Sequence, residues 1–373
     1  MIIKRTLQDV IERYLFKRKI IIIYGARQVG KTTLVKSLLQ NYKDSGLYLN
    51  CDEPDIRAAL FNKTSTELQR IIGSKTLVVI DEAQMVKDIA LTLKLLADTY
   101  PHIQIVATGS SSFELAGSVS QPLTGRKLEF TLYPFSIGEL RSLYSEIEIN
   151  RLIPHFMIYG MYPEIVLNNE NAALLLKSLA FSYSYKDVLQ YQGIKNPEVL
   201  EKLLKALALQ IGNEVSYNEL SALLGIDKNT VANYIRILEQ AFIIFRLPPL
   251  NRNLRNEIKK LKKIYFWDLG IRNALINNLN PVDLRQDTGN MWENFFIAER
   301  IKYLKNSLLH KNVYYWRTQQ KQEIDYIEES GGVFEAFEIK WNKKHARISS
   351  IFSQNYQVAN QYVINNQNYI NFV

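Results

Sequence analysis

Apolar residues run unbroken in the first third of the chain, recur at helical spacing in the middle, and alternate near the end. The unbroken runs are "IIIIY" (Ile20–Tyr24), "TLVVID" (Thr76–Asp81) and "IQIVATG" (Ile103–Gly109). Runs of this length with no polar alternation predict strands buried on both faces, as in a parallel sheet. From Phe135 to about Asn196 the pattern is helical and rich in tyrosine, with "FSYSYKDVLQYQG" expected in core and lid packing. Next, Ser216 with Glu219 predicts a helix start, Gly225 a stop, and Asp227 the cap of a helix reaching about Gln240. In that helix Val231, Ile235 and Leu238 face inward and Lys228, Asn229, Asn233 and Arg236 outward, and an apolar strand follows at Ile243–Leu247. The order fits a winged helix-turn-helix, and the outward residue types suit a major groove or, equally, protein packing. The last third opens with an amphipathic helix, "GNMWENFFIAERIKYL", and a strand, "VYYWRT". "QEIDYIEESGGVFEAFEIKW" (Gln322–Trp341) then alternates on both sides of a Gly-Gly turn and predicts a β-hairpin, followed by a polar helical segment and the strand "QYVI".

One segment joins this pattern to chemistry. "GARQVGKTT" comprises Gly25, Ala26, Arg27, Gln28, Val29, Gly30, Lys31, Thr32 and Thr33, between the first strand and a helix. It fits the phosphate-loop spacing G-x-x-x-x-G-K-[ST]. The glycines let backbone amides curl around phosphates, and the helix start adds free N–H groups and a positive dipole end. Lys31 is expected at the β- and γ-phosphates and the Thr32 hydroxyl at Mg²⁺. Asp81 and Glu82 end the next strand: Asp81 is expected to hold Mg²⁺ and Glu82 to act as base for the attacking water. A glutamate there favours a hydrolase over a small-molecule kinase. Thr108 and Ser110 end the third strand, where a polar group can sense the γ-phosphate, while Ser111 and Ser112 read as a Gly-Ser turn. Arg126 stands just before a further strand, either as a solvated hairpin residue or within reach of a nucleotide in a neighbouring subunit. No N-K-x-D guanine signature is present.

Together "IYGARQVGKTTL", "LYLNCDEPDIR", "VVIDEAQ", "ATGSSS" and "LTGRKLEFTLYPFS" resemble the AAA-type ATPases of archaea and bacteria that carry a C-terminal domain of unknown function. The resemblance spans nearly the whole chain. It implies ATP as nucleotide, Lys31 and Thr32 as phosphate and Mg²⁺ residues, Asp81 and Glu82 as the acidic pair, and Arg126 as a candidate arginine finger. "YFWDLGIRNAL" looks like a further signature of the family, with Asp268 read as a helix cap after a strand.

The C-terminal order helix–strand–strand–strand–helix–strand looks like the PD-(D/E)-x-K nuclease core. Asp325 lies on the first strand of the hairpin, and Glu338 and Lys340, two apart, share a face of the second. Glu293 lies on the preceding helix with Phe296, Ile297 and Ile301 on its inward stripe. The expectation is a second site in which Glu293, Asp325 and Glu338 hold Mg²⁺ or Mn²⁺, with Lys340 as a catalytic residue that orients the water or stabilises the phosphorane charge. Glu323 and Glu335 fit the pattern less well, and Ile324 stands where the strict signature has proline. A fold of this kind can also survive as a binding module without metal.

Lys plus Arg outnumber Asp plus Glu by 46 to 37, a net +9 that favours an anionic partner, nucleic acid first. Six Lys or Arg fall within Arg252–Lys263, a solvated face or a phosphate track. The single cysteine, Cys51, excludes an internal disulfide and suits a reducing cytoplasm, and no apolar run reaches membrane-span length. The expected fold is α/β: an AAA-type P-loop ATPase domain (1–140), a helical region (141–196), a winged helix (197–250) and a restriction-endonuclease-like domain (251–373). The expected function is ATP hydrolysis coupled to DNA binding or cleavage. The alternative is a nucleotide-gated DNA- or protein-binding switch with an inactive nuclease-like domain. A homo-oligomer is allowed for, and a membrane partner is not expected.

Overall fold

The computed structural model describes residues 3–110, 123–189, 196–250, 261–320, 322–343, 345 and 349–373, with 181–189 as backbone alone. Strands β1 (Ile20–Tyr24), β2 (Gly46–Asn50), β3 (Leu77–Asp81), β4 (Gln104–Gly109) and β5 (Lys127–Thr131) form a sheet in the order β2-β3-β4-β1-β5, all parallel. Every residue of β1, β3 and β4 is buried, as the unbroken apolar runs require. Helices α1 (Thr6–Tyr14), α2 (Lys31–Leu39), α3 (Pro54–Leu60), α4 (Ser65–Ile72) and α5 (Ile89–Thr99) accompany this sheet. Because the strands are parallel, β1, β3 and β4 all end on the same edge, which gathers Gly25, Asp81 and Thr108.

A helical region follows: α6 (Ile137–Leu140), α7 (Glu146–Tyr159), α8 (Pro163–Leu167) and α9 (Ala172–Leu189). The side chains of the tyrosine-rich end of α9 lie outside the described residues. Then come α10 (Pro197–Leu209), β6 (Glu214–Val215), α11 (Tyr217–Leu224), α12 (Lys228–Gln240), β7 (Ile244–Leu247) and β8 (Lys262–Phe266). The three strands pair antiparallel in the order β6-β8-β7. Gly225 ends α11 in the left-handed region at φ 66°, and the Asp227 carboxylate accepts from Asn229 N and Thr230 N to start α12. Val231, Ile235 and Leu238 are fully buried, while Lys228, Asn229 and Arg236 are exposed and Asn233 half-buried. Strand β8 lies beyond the boundary expected at 250, yet it is the central strand of this sheet.

The last third contains α13 (Leu269–Leu275), α14 (Thr288–Asn306), β9 (Asn312–Arg317), β10 (Glu323–Ser330), β11 (Val333–Ile339), α15 (Ser350–Asn355) and β12 (Val358–Ile364). The sheet order is β12-β11-β10-β9, with β11 and β12 parallel and the other pairs antiparallel. The Gly-Gly turn carries φ of 60° and 82° at Gly331 and Gly332, so the hairpin forms as the alternation predicts. Phe337 and Ile339 are buried on one face of β11. One apolar core runs from the parallel sheet into α10–α12, and a second joins α7, β7, β8, α14 and the C-terminal sheet.

Candidate functional sites: a hydroxyl-ringed aspartate and a lysine-paired acid cluster

The phosphate loop leaves β1 through a tight gap: a Cβ at Gly25 would stand 2.3 Å from Leu132 O. Gln28 (φ 60°) and Gly30 (φ 97°) take left-handed conformations that curl the loop, and Gly30 precedes the first turn of α2. Lys31 is buried, and its Nζ donates to Gly25 O and Ala26 O at 3.0 Å each. Ala26 and Val29 anchor the loop in the core, whereas Arg27, Gln28 and Thr33 lie on its exposed rim.

Asp81 is 1 % exposed, and its carboxylate accepts from three hydroxyls: Thr32 Oγ1 at 2.7 Å, Tyr48 OH at 2.6 Å and Thr108 Oγ1. These donors are neutral. Burial first, then the charge of Asp81, pushes the Tyr48 hydroxyl far above its ordinary value. The same causes push the Cys51 thiol up to about 12, an inert side chain just past the end of β2. Glu82 sits at φ 51°, turned out of the strand direction. Its N–H donates to Thr108 Oγ1 at 3.0 Å, and its carboxylate accepts from Gln84 Nε2. Ser110 N donates to Gln84 Oε1 at 3.3 Å, so Ser110 meets this group through Gln84. Hard oxygen donors at Thr32 and Asp81 beside a buried lysine fit Mg²⁺ held with a nucleotide.

Sequence patterns did not mark Tyr48 or Gln84. Tyr48 reaches Asp81 because β2 pairs with β3 in parallel, with Asn50 opposite Asp81. The "DEAQ" tetrapeptide contains Gln84, but nothing in the spacing says that its amide turns back to Glu82.

Arg126 does not join this group. It precedes β5, whose register places Lys127 opposite Ile20 and Thr131 opposite Tyr24. Arg126 therefore lies at the other end of the sheet from the loop, six residues or about 20 Å away at roughly 3.3 Å per residue. Its guanidinium pairs with Asp98 at 2.6 Å and is half-exposed. Arg126 is thus paired with Asp98 at the far end of the strand from the phosphate loop of its own chain.

The C-terminal acids come near one another, but not as the expected ion site. Lys340 Nζ contacts Asp325 Oδ2 at 3.2 Å and Glu338 Oε1 at 2.7 Å, so these three residues do share one side of the hairpin. Asp325 also accepts from Ile339 N at 2.8 Å. Glu293 instead accepts from Tyr265 OH at 2.6 Å and Lys263 Nζ at 3.0 Å, and Lys263 also pairs with Glu323 at 2.5 Å. Burial, with a further push from Asp325, raises the Glu293 carboxyl, against the pull of Lys263. Burial and Asp325 raise Glu338 likewise, opposed by Lys340. Among the described residues no three acidic, histidine or cysteine groups stand close enough to hold one ion. The expected three-acid metal site thus finds no support among the described residues. Lysine ammoniums occupy these acids, and Glu338 Oε2 is buried with no hydrogen-bond partner. Lys263, expected on a solvated basic track, is 2 % exposed and ion-paired. Residues 251–260 of that track lie outside the described residues.

The "DLGIRN" signature is a packing clasp. Asp268 caps α13 by accepting from Ile271 N at 3.1 Å, as expected, and also accepts from Met161 N at 2.6 Å. A Cβ at Gly270 would stand 2.1 Å from Tyr159 O, so only glycine lets α13 approach α7. Arg272 donates to Ala208 O at 2.7 Å, and Asn273 to Met157 O and Ile158 O at 2.9 Å each. The segment thus ties α7, α10 and α13 together.

Comparison with known proteins finds three matched spans along the chain. Residues 17–141 match the family model described as "AAA domain". Residues 150–282 and 288–371 match two models described as domains of unknown function, DUF8612 and DUF4143. An uncharacterized protein of Mycobacterium tuberculosis is 27 % identical over 336 residues, 88 % of this chain and 72 % of that protein. One from Methanocaldococcus jannaschii is 27 % identical over 320 residues, 74 % of this chain and 67 % of it. Among solved structures, the Pif1 helicase from Candida albicans aligns over 48 % of each chain at 17 % identity and a TM-score of 0.28. The Drosophila ORC structure bound to AT-rich DNA and Cdc6 aligns over 73 % of this chain and 92 % of that one, at 12 % identity and a TM-score of 0.27. Superpositions this loose carry no weight for function. Motif, sheet and family match agree on an AAA-type P-loop nucleotide-binding domain in the first third, followed by two domains of unknown function. Among the described residues no helix is long and apolar enough to cross a membrane.

Proposed function

We propose that this chain hydrolyses ATP and that its nucleotide state gates the binding of duplex DNA by the middle domain, with the C-terminal domain serving as a docking module rather than a nuclease. One observation carries the hydrolytic part: Asp81 ringed by the Thr32, Tyr48 and Thr108 hydroxyls, with Glu82 turned outward at the same strand end. In this reading the loop amides and Lys31 bind the phosphates, and Thr32 and Asp81 hold Mg²⁺. The ion would neutralise charge on the phosphates. Glu82 orients a water and takes its proton.

The DNA part rests on the order α10-β6-α11-α12-β7-β8, that of a winged helix-turn-helix, with Lys228, Asn229 and Arg236 exposed on α12. Four of the six basic residues of Arg252–Lys263, namely Arg252, Arg255, Lys259 and Lys260, fall in the sequence between β7 and β8, where a winged helix-turn-helix has its wing. The C-terminal element order supports a PD-(D/E)-x-K-like fold. Its lysine-paired acids support use of that fold for binding. The test is phosphate release from ATP with Mg²⁺, together with duplex affinity measured with and without nucleotide. Absence of turnover removes the hydrolase reading. Plasmid cleavage that needs Mn²⁺ and Glu338 would replace the docking module with a nuclease.

A further inference from the structure

The Arg5 guanidinium is 6 % exposed and donates to three acceptors on three segments: Val29 O of the phosphate loop at 2.7 Å, Tyr133 O after β5 at 2.6 Å, and Glu139 Oε1 at 2.9 Å. It also lies over the Phe135 ring at 4.7 Å. Val29 immediately precedes Gly30, where the loop turns into α2. Glu139, itself buried, accepts from Thr6 N at 3.1 Å and, across the start of α6, from Ser136 N at 3.0 Å. One residue on, Ile137 N donates to Glu299 Oε2 of α14 at 2.7 Å. Glu299 pairs with Lys302 at 2.7 Å, and Lys302 Nζ donates to Phe135 O at 3.0 Å. Arg5, Glu139, Glu299 and Lys302 are each less than a tenth exposed. A buried polar chain therefore runs from the phosphate loop into α14. The same helix holds β8 through Asn294, which accepts from Phe266 N at 2.7 Å and donates to Phe266 O at 2.8 Å.

We propose that Arg5 is a positioning residue for nucleotide binding, and that the Arg5–Glu139–Ile137–Glu299 chain couples the phosphate loop to α14 and, through it, to the β6-β8-β7 sheet. This rests on the nucleotide-binding reading above. A guanidinium offers its donors in a fixed fork, so three simultaneous acceptors fix the Val29 carbonyl relative to Tyr133 and Glu139. The loop amides that would face phosphate take their direction from that carbonyl. Lysine at this position can satisfy only part of the set.

The test is titration of the full chain with a fluorescent ADP analogue, alongside ATP turnover. Arg5→Ala and Glu299→Gln should each weaken nucleotide binding by roughly 5- to 30-fold, the size of a typical coupling between sites. The loss in turnover should fall on KM, with kcat within about threefold, because Arg5 makes no transition-state contact. Arg5→Lys should lie between, and the double variant should bind no more weakly than the worse single one, as coupled residues do. An unchanged affinity in folded Arg5→Ala overturns the positioning role. If Arg5→Ala does not fold, Arg5→Lys decides by the same criterion. Strictly additive losses overturn the chain to α14. Failure of the unaltered protein to bind the analogue overturns the nucleotide reading itself, whereas binding by it and not by Lys31→Ala leaves that reading standing whatever Arg5 does.

Discussion

Two acid clusters in this molecule differ in the charge of their donors: one at the end of β3, the other between α14 and the β10–β11 hairpin. Asp81 accepts from three neutral hydroxyls, with Glu82 next to it. Asp325 and Glu338 share the Lys340 ammonium, and Glu293 and Glu323 share that of Lys263. Burial alone would lower Lys263, but the nearby carboxylates outweigh it and hold the ammonium above its ordinary value. A divalent cation is drawn to uncompensated charge on oxygen, and an ammonium already seated there competes for the same oxygens. The count of carboxylates does not distinguish the clusters. The neighbours that donate to them do.

The sharpest break in the comparison lies in turnover. Lys31→Ala is expected to abolish nucleotide binding, and Glu82→Gln to bind ATP but release phosphate at least ~100-fold more slowly, measured by steady-state phosphate release. No variant of Asp325, Glu338 or Glu293 should reach that size. A phosphate-release rate in Glu82→Gln equal to the unaltered chain's would remove Glu82 from the base role.

Stability should rank the clusters the other way. Lys263→Ala leaves Glu293 and Glu323 without their ammonium in a site where Lys263 is 2 % exposed, and is expected to cost about 3–5 kcal/mol in chemical denaturation. Asp81→Asn keeps an acceptor oxygen for the hydroxyls and is expected to change stability by only about 1 kcal/mol. Equal costs would erase the distinction between acids paired with ammoniums and an acid bonded to hydroxyls.

A third arrangement tests the same logic by pH. Burial would raise the Asp287 carboxyl, but Arg285 and Arg272 outweigh it and hold it at about 2. Its value when folded is thus below its value when unfolded. The stability it contributes is present above about pH 4 and is lost as pH falls towards 2. The expected size is about 2 kcal/mol. Asp287→Asn should flatten that part of the acid-denaturation curve, and an unchanged curve would show that the guanidinium pairs contribute nothing. The smallest effect concerns DNA: neutralising Lys259 and Lys260 should reduce the slope of log affinity against log salt by up to ~2 units. Lys263 is excluded from that set because it is buried in an ion pair.

The phosphate loop, Asp81, Glu82 and Thr108 were legible in the sequence because their relation is local to strand ends, and a parallel sheet brings those ends to one edge. The helix starts at Ser216 and Asp227 and the Gly331–Gly332 turn were legible for the same reason. Arg5 and Tyr48 were not, since they lie 24 and 33 residues from the groups they serve and meet them only through tertiary packing. Lys263 misled because a basic run reads as solvated, yet the run ends where β8 begins and enters the core. The spacing of Glu338 and Lys340 gave their shared face correctly. It carried no information about Lys263 reaching Glu293 from another sheet.

The most direct test of the difference between the clusters is a count of Mn²⁺ ions bound per chain in the presence of ADP, by titration with electron paramagnetic resonance. One tightly bound ion is expected, lost in Asp81→Asn and retained in Asp325→Asn and Glu338→Gln. A second ion that disappears with Asp325→Asn, or one that survives Asp81→Asn, would contradict this expectation.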